Sequence, residues 1–218
     1  MPFLQQHPAL NEQAQRQLMT YWRVRVSKTL DHLENEVRRM LRVEQALERF
    51  ATDFVARLAP YTETLRHLPK EHADPLAVPQ APYAWVAQGV AQARAQELKN
   101  RYRQLAKELH PDFAGIDTSQ PSMAQINDAY ARDDLALMVR LEAQALVPEM
   151  DGNGSYALED FVKQVDQAAQ TYRKAYNQLL NAPLYSLYAR ATSASEDGWD
   201  YVESLARRIK RAGETVAA

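Results

Sequence analysis

The sequence predicts an all-α protein in which long antiparallel coiled-coil arms, formed by the N- and C-terminal regions, flank a small helical module. Three observations lead to this fold class. Gly is scarce, with 6 in 218 residues, while Ala, Gln, Leu, Arg and Glu, most of which favour helix, are common. Neither Gly nor Pro occurs between Asn11 and Leu58. Apolar residues recur at heptad spacing in both terminal regions, and no pattern typical of a strand is present.

The N-terminal arm is expected over residues 1–68. Its apolar stripe alternates steps of four and three residues, with Glu44 as the only polar residue on it, and this spacing indicates helix-on-helix packing. Pro60 is expected to end or kink the helix, because proline lacks an amide donor, and residues 61–68 are expected to continue it for two turns. The stripe comprises Val26, Leu30, Leu33, Val37, Met40, Leu47, Ala51, Phe54 and Leu58.

Two segments that break helices delimit the central module. Residues 69–82 contain four prolines and are expected to form a linker, and residues 148–155 are expected to form a second one. The module between them, residues 83–147, is predicted to be helical. Its last helix should follow a turn in which Asp133 or Asp134 is a plausible N-cap.

The C-terminal arm, residues 156–218, is expected to consist of a helix, a loop over residues 181–198 and a second helix. A heptad stripe favours association when it is left in water. Antiparallel pairing of the two arms within a monomer would bury it, and so would a homodimer. Periodicity alone leaves both possibilities open.

Composition narrows the function. The formal net charge of −2 gives no overall attraction to nucleic acid, and the absence of Cys excludes disulfides, thiol catalysis and Cys-ligated metal. No apolar run reaches about 18 residues, and the N-terminal sequence lacks the pattern of a secretory signal. We therefore expect a soluble, cytoplasmic protein with no membrane span, no nucleic-acid partner, no metal and no cofactor. The sequence contains no nucleophile–base pair and no phosphate-binding loop, so we do not expect an enzyme.

The most informative stretch is "RYRQLAKELHPDFAG", Arg101 to Gly115. One face of this helical pattern is apolar and is expected to be core, with Leu98, Tyr102, Leu105, Ala106 and Leu109. Lys99, Arg103 and Lys107 recur every four residues on another face and form a cationic stripe. Pro111 should end the helix, so that an exposed corner carries the imidazole of His110 and the carboxylate of Asp112.

The segment "ELKNRYRQLAKELHPDFAG" followed by "MAQINDAY" resembles the J-domain of DnaJ-type proteins. The second J-domain helix has the form apolar-x-x-x-Tyr-basic-x-Leu-Ala-x-x-apolar before His-Pro-Asp. The third has the form apolar-x-x-Ile-Asn-x-Ala-Tyr, which Met123, Ile126, Asn127, Ala129 and Tyr130 match. The resemblance covers residues 97–141, about a fifth of the chain. It also implies that Ile126, Ala129 and Tyr130 are core residues.

The chain departs from the J-domain pattern in two places. The Tyr-Tyr-x-x-Leu-Gly first helix is absent, and "PYAWVAQGVAQARAQ" is expected to extend the second helix towards its N-terminus, while "YTETLRHL" is a possible substitute for the missing helix. The usual end of the third helix is replaced by "ARDDLALMVRL", a turn and a new helix. No Gly/Phe-rich segment and no zinc-binding repeat follows. The chain thus resembles J-proteins whose module lies between coiled-coil arms.

The resemblance implies a partner and a mechanism. J-domains dock on seventy-kilodalton heat-shock chaperones and stimulate their ATP hydrolysis through the His-Pro-Asp corner. The implied partner-binding residues are His110, Pro111, Asp112, Lys99, Arg103, Lys107 and Asn127. The arms would then bind a client protein, which the sequence does not identify.

Several of these features are compatible with more than one role. The cationic stripe also fits a solvated helix face, and it fits phosphate contacts less well, since no stacking aromatics interleave with it. Trp22, Tyr185, Tyr188 and Trp199 are expected to be core residues, with a client-binding surface as the alternative. The alternative function is that of a coiled-coil scaffold or adaptor in which the J-like segment is only structural.

Overall fold

The computed structural model describes residues 8–68, 83–109, 121–147 and 155–217. These residues are almost entirely helical and contain no strand, which confirms the all-α prediction for the described part of the chain. The helices are α1 (Pro8–Leu58), α2 (Thr62–His67), α3 (Tyr83–Glu108), α4 (Met123–Ala131), α5 (Leu135–Ala145), α6 (Ser155–Leu180), α7 (Pro183–Glu196) and α8 (Tyr201–Ala217).

The chain folds into two compact units, each drawn from separate stretches of sequence. The described residues of Met1–Arg39 and Ala95–Lys174 make up the first unit, and those of Met40–Arg94 and Ala175–Ala218 make up the second. These boundaries fall inside α1, α3 and α6. Most of the predicted linkers, residues 69–82 and 148–154, lie outside the described residues, and the predicted division into arms and module stays a prediction.

The heptad stripe of α1 is buried along most of its predicted length. In the first unit its apolar side chains at Leu30, Leu33 and Val37 are buried, and Val26 is partly buried. In the second unit Glu44, the polar residue on the stripe, accepts a hydrogen bond from Arg94 of α3 at 3.2 Å. The remaining apolar positions of the stripe in the second unit are Met40, which is partly buried, and Leu47, Ala51, Phe54 and Leu58, which are buried. Pairing of the arms as an antiparallel coiled coil stays a prediction.

Pro60 ends α1 as the sequence predicts. A 3-10 turn at Ala59–Tyr61 follows Leu58, and α2 then continues to His67. In the second unit α2 packs against α8 so closely that a Cβ built at Gly213 would lie 2.4 Å from Cγ2 of Thr64. Here glycine permits the close approach of two helices. The core around them contains Phe54, Leu58, Leu68, Leu187, Val202, Leu205, Ala206 and Ile209.

The predicted loop over residues 181–198 is wrong, because most of it forms α7. Pro183 begins this helix instead of preventing one, since the first turn needs no intrahelical donor from proline. Leu187 and Ala194 bury their side chains in the second unit and stabilise the helix. Gly198, at φ +78, ends it, and the amide of Trp199 donates to the carbonyl of Ala194 at 3.0 Å.

Candidate partner-binding site

The two segments that resemble the J-domain pack against each other in the first unit. The hydroxyl of Tyr102 on α3 donates to the side-chain oxygen of Asn127 on α4 at 3.1 Å. The rings of Tyr102 and Tyr130 stack with centroids 4.4 Å apart and an interplanar angle of 27°. Tyr102 lies close to the end of α3, and its partners lie one to two turns into α4. These side-chain contacts join two consecutive helices, α3 and α4, and we call this pair the hairpin.

Several of the residues expected to be core on these two helices are buried in the first unit. Leu98 is buried, and Leu105, Ile126 and Ala129 have no exposed surface. Tyr102, Ala106 and Leu109 are partly buried at its edge. Burial of Leu98 and Leu105 defines the rotation of α3 about its axis, and this rotation decides which side chains face solvent.

Tyr130 does not belong to the core, contrary to the prediction. Its side chain is 40% exposed. One face of the ring is covered by Tyr102, and much of the other side remains in contact with water. Asn127, beside it on α4, is also exposed. Both residues therefore belong to the surface of the hairpin.

The cationic stripe faces solvent along α3. Lys99, Arg103 and Lys107 are all exposed, and within the described residues none of them forms an ion pair. Arg101 differs from them: it donates to Glu97 at 2.8 Å and to Glu142 of α5. At about 100° per residue, Arg101 points towards α5 while the stripe lies on the opposite flank. Three cations of this helix thus remain available to a partner.

The corner itself, His110-Pro111-Asp112, lies outside the described residues. The described part of α3 leads directly to it: the helix ends at Glu108, and the amide of Leu109 still donates to the carbonyl of Leu105 at 2.9 Å. The predicted extension of the helix towards its N-terminus is confirmed, because α3 begins at Tyr83.

The turn after α4 is built by two consecutive aspartates. Asp133 adopts φ +54, in the left-handed region, and ends α4 where glycine is more usual. Asp134 caps α5, since its Oδ1 accepts from the amide of Leu137 at 3.0 Å. The choice between the two predicted N-caps is thereby decided for Asp134. Its other oxygen accepts from Arg38 of α1 at 2.8 Å.

An ion-pair network connects α5 to α1 and supports the hairpin. Glu34 accepts hydrogen bonds from Arg38 at 2.8 Å and from Arg140 at 2.8 Å, and Arg140 also pairs with Asp31 at 2.9 Å. Burial opposes ionisation of Glu34, but the hydrogen bonds from the two guanidinium groups outweigh it and hold the pKa of Glu34 below its usual value. The sequence prediction missed this network, although the i, i+4 spacing of Glu34 and Arg38 was a visible signal.

The segment "YTETLRHL" belongs to the second unit, whereas residues 97–141 belong to the first, and its substitution for the missing first J-domain helix stays a prediction. Tyr61 and Leu65 belong to the second unit, where they pack on the cluster that contains Ile209 of α8. In the first unit α5 instead forms ion pairs with α1, through Glu34, and with α3, through Arg101.

The four aromatic residues that were expected to be core, with a client-binding surface as the alternative, differ in their exposure. Trp22 is buried, and Tyr185 and Tyr188 are partly buried; Tyr188 makes an edge contact with Phe50, with ring centroids 5.7 Å apart. Trp199 is 49% exposed, contrary to the core prediction; it directly follows Gly198, which ends α7.

Comparisons with known proteins identify no relative: no protein-family model matches the chain, and neither a curated protein nor a solved structure matches it. The resemblance to the J-domain therefore rests on the quoted residues. Within the described residues, no helix is long and apolar enough to cross a membrane.

Proposed function

We propose that this protein is a J-domain co-chaperone that docks on a seventy-kilodalton heat-shock chaperone and stimulates its ATP hydrolysis through His110, Pro111 and Asp112. The arms bind a client or another partner. One observation supports the proposal: the two motif segments contact each other through Tyr102, Asn127 and Tyr130, and the helix that leads into the tripeptide presents its cationic stripe to solvent.

The stripe supplies electrostatic attraction, and among the described residues no carboxylate pairs with it. Lys99, Arg103 and Lys107 lie on one flank of a rigid helix, so an acidic surface of the chaperone meets three cations at fixed spacing. Such charges increase the association rate and set the orientation of the complex more than they increase affinity. Asp112 then forms a charge-assisted pair with a basic group of the chaperone, and Pro111 limits the conformations of the corner.

In this mechanism the protein performs no chemical step. It stabilises the conformation of the chaperone that hydrolyses ATP, and it does so by binding that conformation more tightly than the others. The stimulation of ATP hydrolysis is thus limited by the difference between the affinity for the hydrolysing conformation of the chaperone and the affinity for its other conformations. The alternative function, a coiled-coil scaffold with a purely structural hairpin, predicts no effect on ATP hydrolysis.

The test is single-turnover ATP hydrolysis by the host's seventy-kilodalton heat-shock chaperone, with and without the full chain. We expect stimulation by the wild type, none by Asp112→Asn, and a loss of about tenfold or more at low salt for Arg103→Glu. Arg190→Glu is the matched control, because Arg190 is also an exposed arginine but lies on α7 in the second unit. It should stimulate as the wild type does.

Far-UV circular dichroism of each variant separates loss of function from loss of fold. Stimulation by Asp112→Asn at the wild-type level would refute the assigned role of the corner. Absence of stimulation by a folded wild-type chain would refute the co-chaperone proposal and favour the scaffold. Equal losses in Arg103→Glu and Arg190→Glu would show that the stripe has no particular role.

A further inference from the structure

The N-terminal half of α1 carries an unusual concentration of positive charge. Between Gln13 and Leu30 there are four basic residues and no Asp or Glu, in a chain whose formal net charge is −2. The four are Arg16, Arg23, Arg25 and Lys28. This segment contributes to the first unit but lies far along the sequence from the cationic stripe of α3.

The same segment exposes apolar side chains. Leu18 is 49% exposed, Tyr21 52% and Val24 48%. They follow one another at three-residue steps, so they share one side of the helix. A contiguous exposed apolar group rimmed by polar residues is typical of a binding surface in a water-exposed protein.

Part of this surface is a shallow groove that is open to solvent. A cavity of about 560 Å³ is lined by Tyr21, Val24, Arg25 and Lys28 of α1 and, on α6, by Asp166. Within the first unit the groove therefore has an apolar floor and two cations on its α1 side, opposed by one carboxylate. Its size suits a few inserted side chains.

One of these cations is held in place by its neighbours. Arg25 donates to the hydroxyl of Tyr21 at 2.8 Å, and its guanidinium carbon lies 5.3 Å from the centroid of the Trp22 ring. Trp22 is itself buried, so the ring that supports Arg25 is fixed. Holding the guanidinium in one orientation lowers the entropy lost when it pairs with a carboxylate.

We infer that this groove binds an acidic amphipathic helix of a partner protein, with its apolar residues in the groove and its carboxylates on Arg25 and Lys28. The stretch from Leu18 to His32 gives about four helical turns, or about 21 Å, of contact. A fitting partner has apolar residues at i, i+3 or i+4, and i+7, and Glu or Asp on the flanks. This inference does not depend on the proposed stimulation of a chaperone.

The charges that line the groove favour an acidic helix over two alternative partners, a second copy of the chain and an anionic membrane. A second copy of the chain, paired through the same surface, would bring two sets of Arg25 and Lys28 into one interface with only Asp166 on each side to offset them, and the excess of like charge opposes pairing. An anionic membrane would satisfy the cations, but its headgroups would also meet the carboxylate of Asp166, which lines the same groove as Tyr21 and Val24. A partner helix can place an apolar or basic residue there.

The test uses a fluorescein-labelled synthetic peptide of about sixteen residues, with Leu at the heptad positions and Glu elsewhere, and fluorescence anisotropy with the full chain. Lys28→Glu should weaken binding by about fivefold or more at low salt, and Val24→Asp by about tenfold. Two matched controls lie on α8 in the second unit: Lys210→Glu is an exposed lysine, and Val216→Asp an exposed valine. Both should bind the peptide as the wild type does.

Three results would overturn the inference. The first is equal binding of a peptide with the same composition in shuffled order, which would show that only charge is read. The second is unchanged binding by folded Lys28→Glu and Val24→Asp variants. The third is the absence of peptide binding by the wild-type chain. In that case, binding to phosphatidylserine vesicles would assign the surface to a membrane, and a dimer that Val24→Asp dissociates would assign it to a second copy of the chain.

Discussion

The contact between α2 and α8 allows a prediction of stability in both sign and size. Gly213→Ala would place a Cβ 2.4 Å from Cγ2 of Thr64, whereas ordinary contacts begin at 3.4 Å. The two helices, or the threonine, must therefore move by about 1 Å. The side chain of Thr64 is short and β-branched, so it has little freedom to turn aside.

Two opposing contributions determine the result. Overpacking of this kind costs about 1–3 kcal/mol, while alanine is about 1 kcal/mol more favourable than glycine inside a helix. We therefore expect Gly213→Ala to destabilise the protein by about 1 kcal/mol, which lowers Tm by about 2–4 °C for a chain of this size. Propensity alone predicts the opposite sign.

A double-mutant cycle measured by thermal or urea unfolding tests the reasoning. In a Thr64→Ala background the clashing methyl is gone, and Gly213→Ala should then stabilise by up to about 1 kcal/mol. The coupling free energy between the two positions should thus be about 1–3 kcal/mol. If Gly213→Ala stabilises the wild type as much as it stabilises Thr64→Ala, the close approach of the helices is refuted.

Two further predictions concern the first unit. Asp133 occupies the left-handed region. Asp133→Gly should therefore raise the free energy of unfolding by about 0.5–1 kcal/mol, and Asp133→Val should lower it. If urea unfolding gives changes of the same sign for both variants, the turn is contradicted. Burial raises the pKa of Glu34, but Arg140 and Arg38 outweigh burial and hold this pKa below its usual value. The stabilising contribution of Glu34 is therefore complete above the unfolded-state pKa, about 4.3, and is lost as pH falls through the folded-state pKa. The stability difference between wild type and Glu34→Gln should therefore shrink as pH falls below about 4, and a difference that is constant between pH 3 and pH 7 would contradict the network.

Both proposed binding surfaces belong to the first unit, but they have different origins. The α3 stripe was visible in the sequence, because Lys99, Arg103 and Lys107 recur every four residues next to a recognisable motif. The α1 groove was not, because Tyr21 and Val24 lie outside the predicted heptad stripe, and periodicity does not show whether apolar residues beside a stripe are covered. Among the described residues, the packing of the helices leaves both side chains about half exposed.

The wrong prediction at residues 181–198 has a local cause. Asn-Ala-Pro resembles an interruption of a helix, although proline is equally at home in the first turn of one. The buried side chain of Leu187 decides between the two, and its burial depends on residues of α8 that are distant in the sequence. Helices of this length gain most of their stability from packing, so local signals left this one undetermined.

Local sequence is sufficient to specify the helical class, the end of α1 at Pro60 and the turn at Asp133 and Asp134. These features depend on backbone chemistry and on periodicity, which act over a few residues. Tertiary packing sets the pairing of Arg38 with Asp134, the close contact at Gly213 and the exposure of Tyr130. Each of these depends on two different helices. The distance and rotation between two helices follow from how their side chains pack together, which neither segment specifies alone.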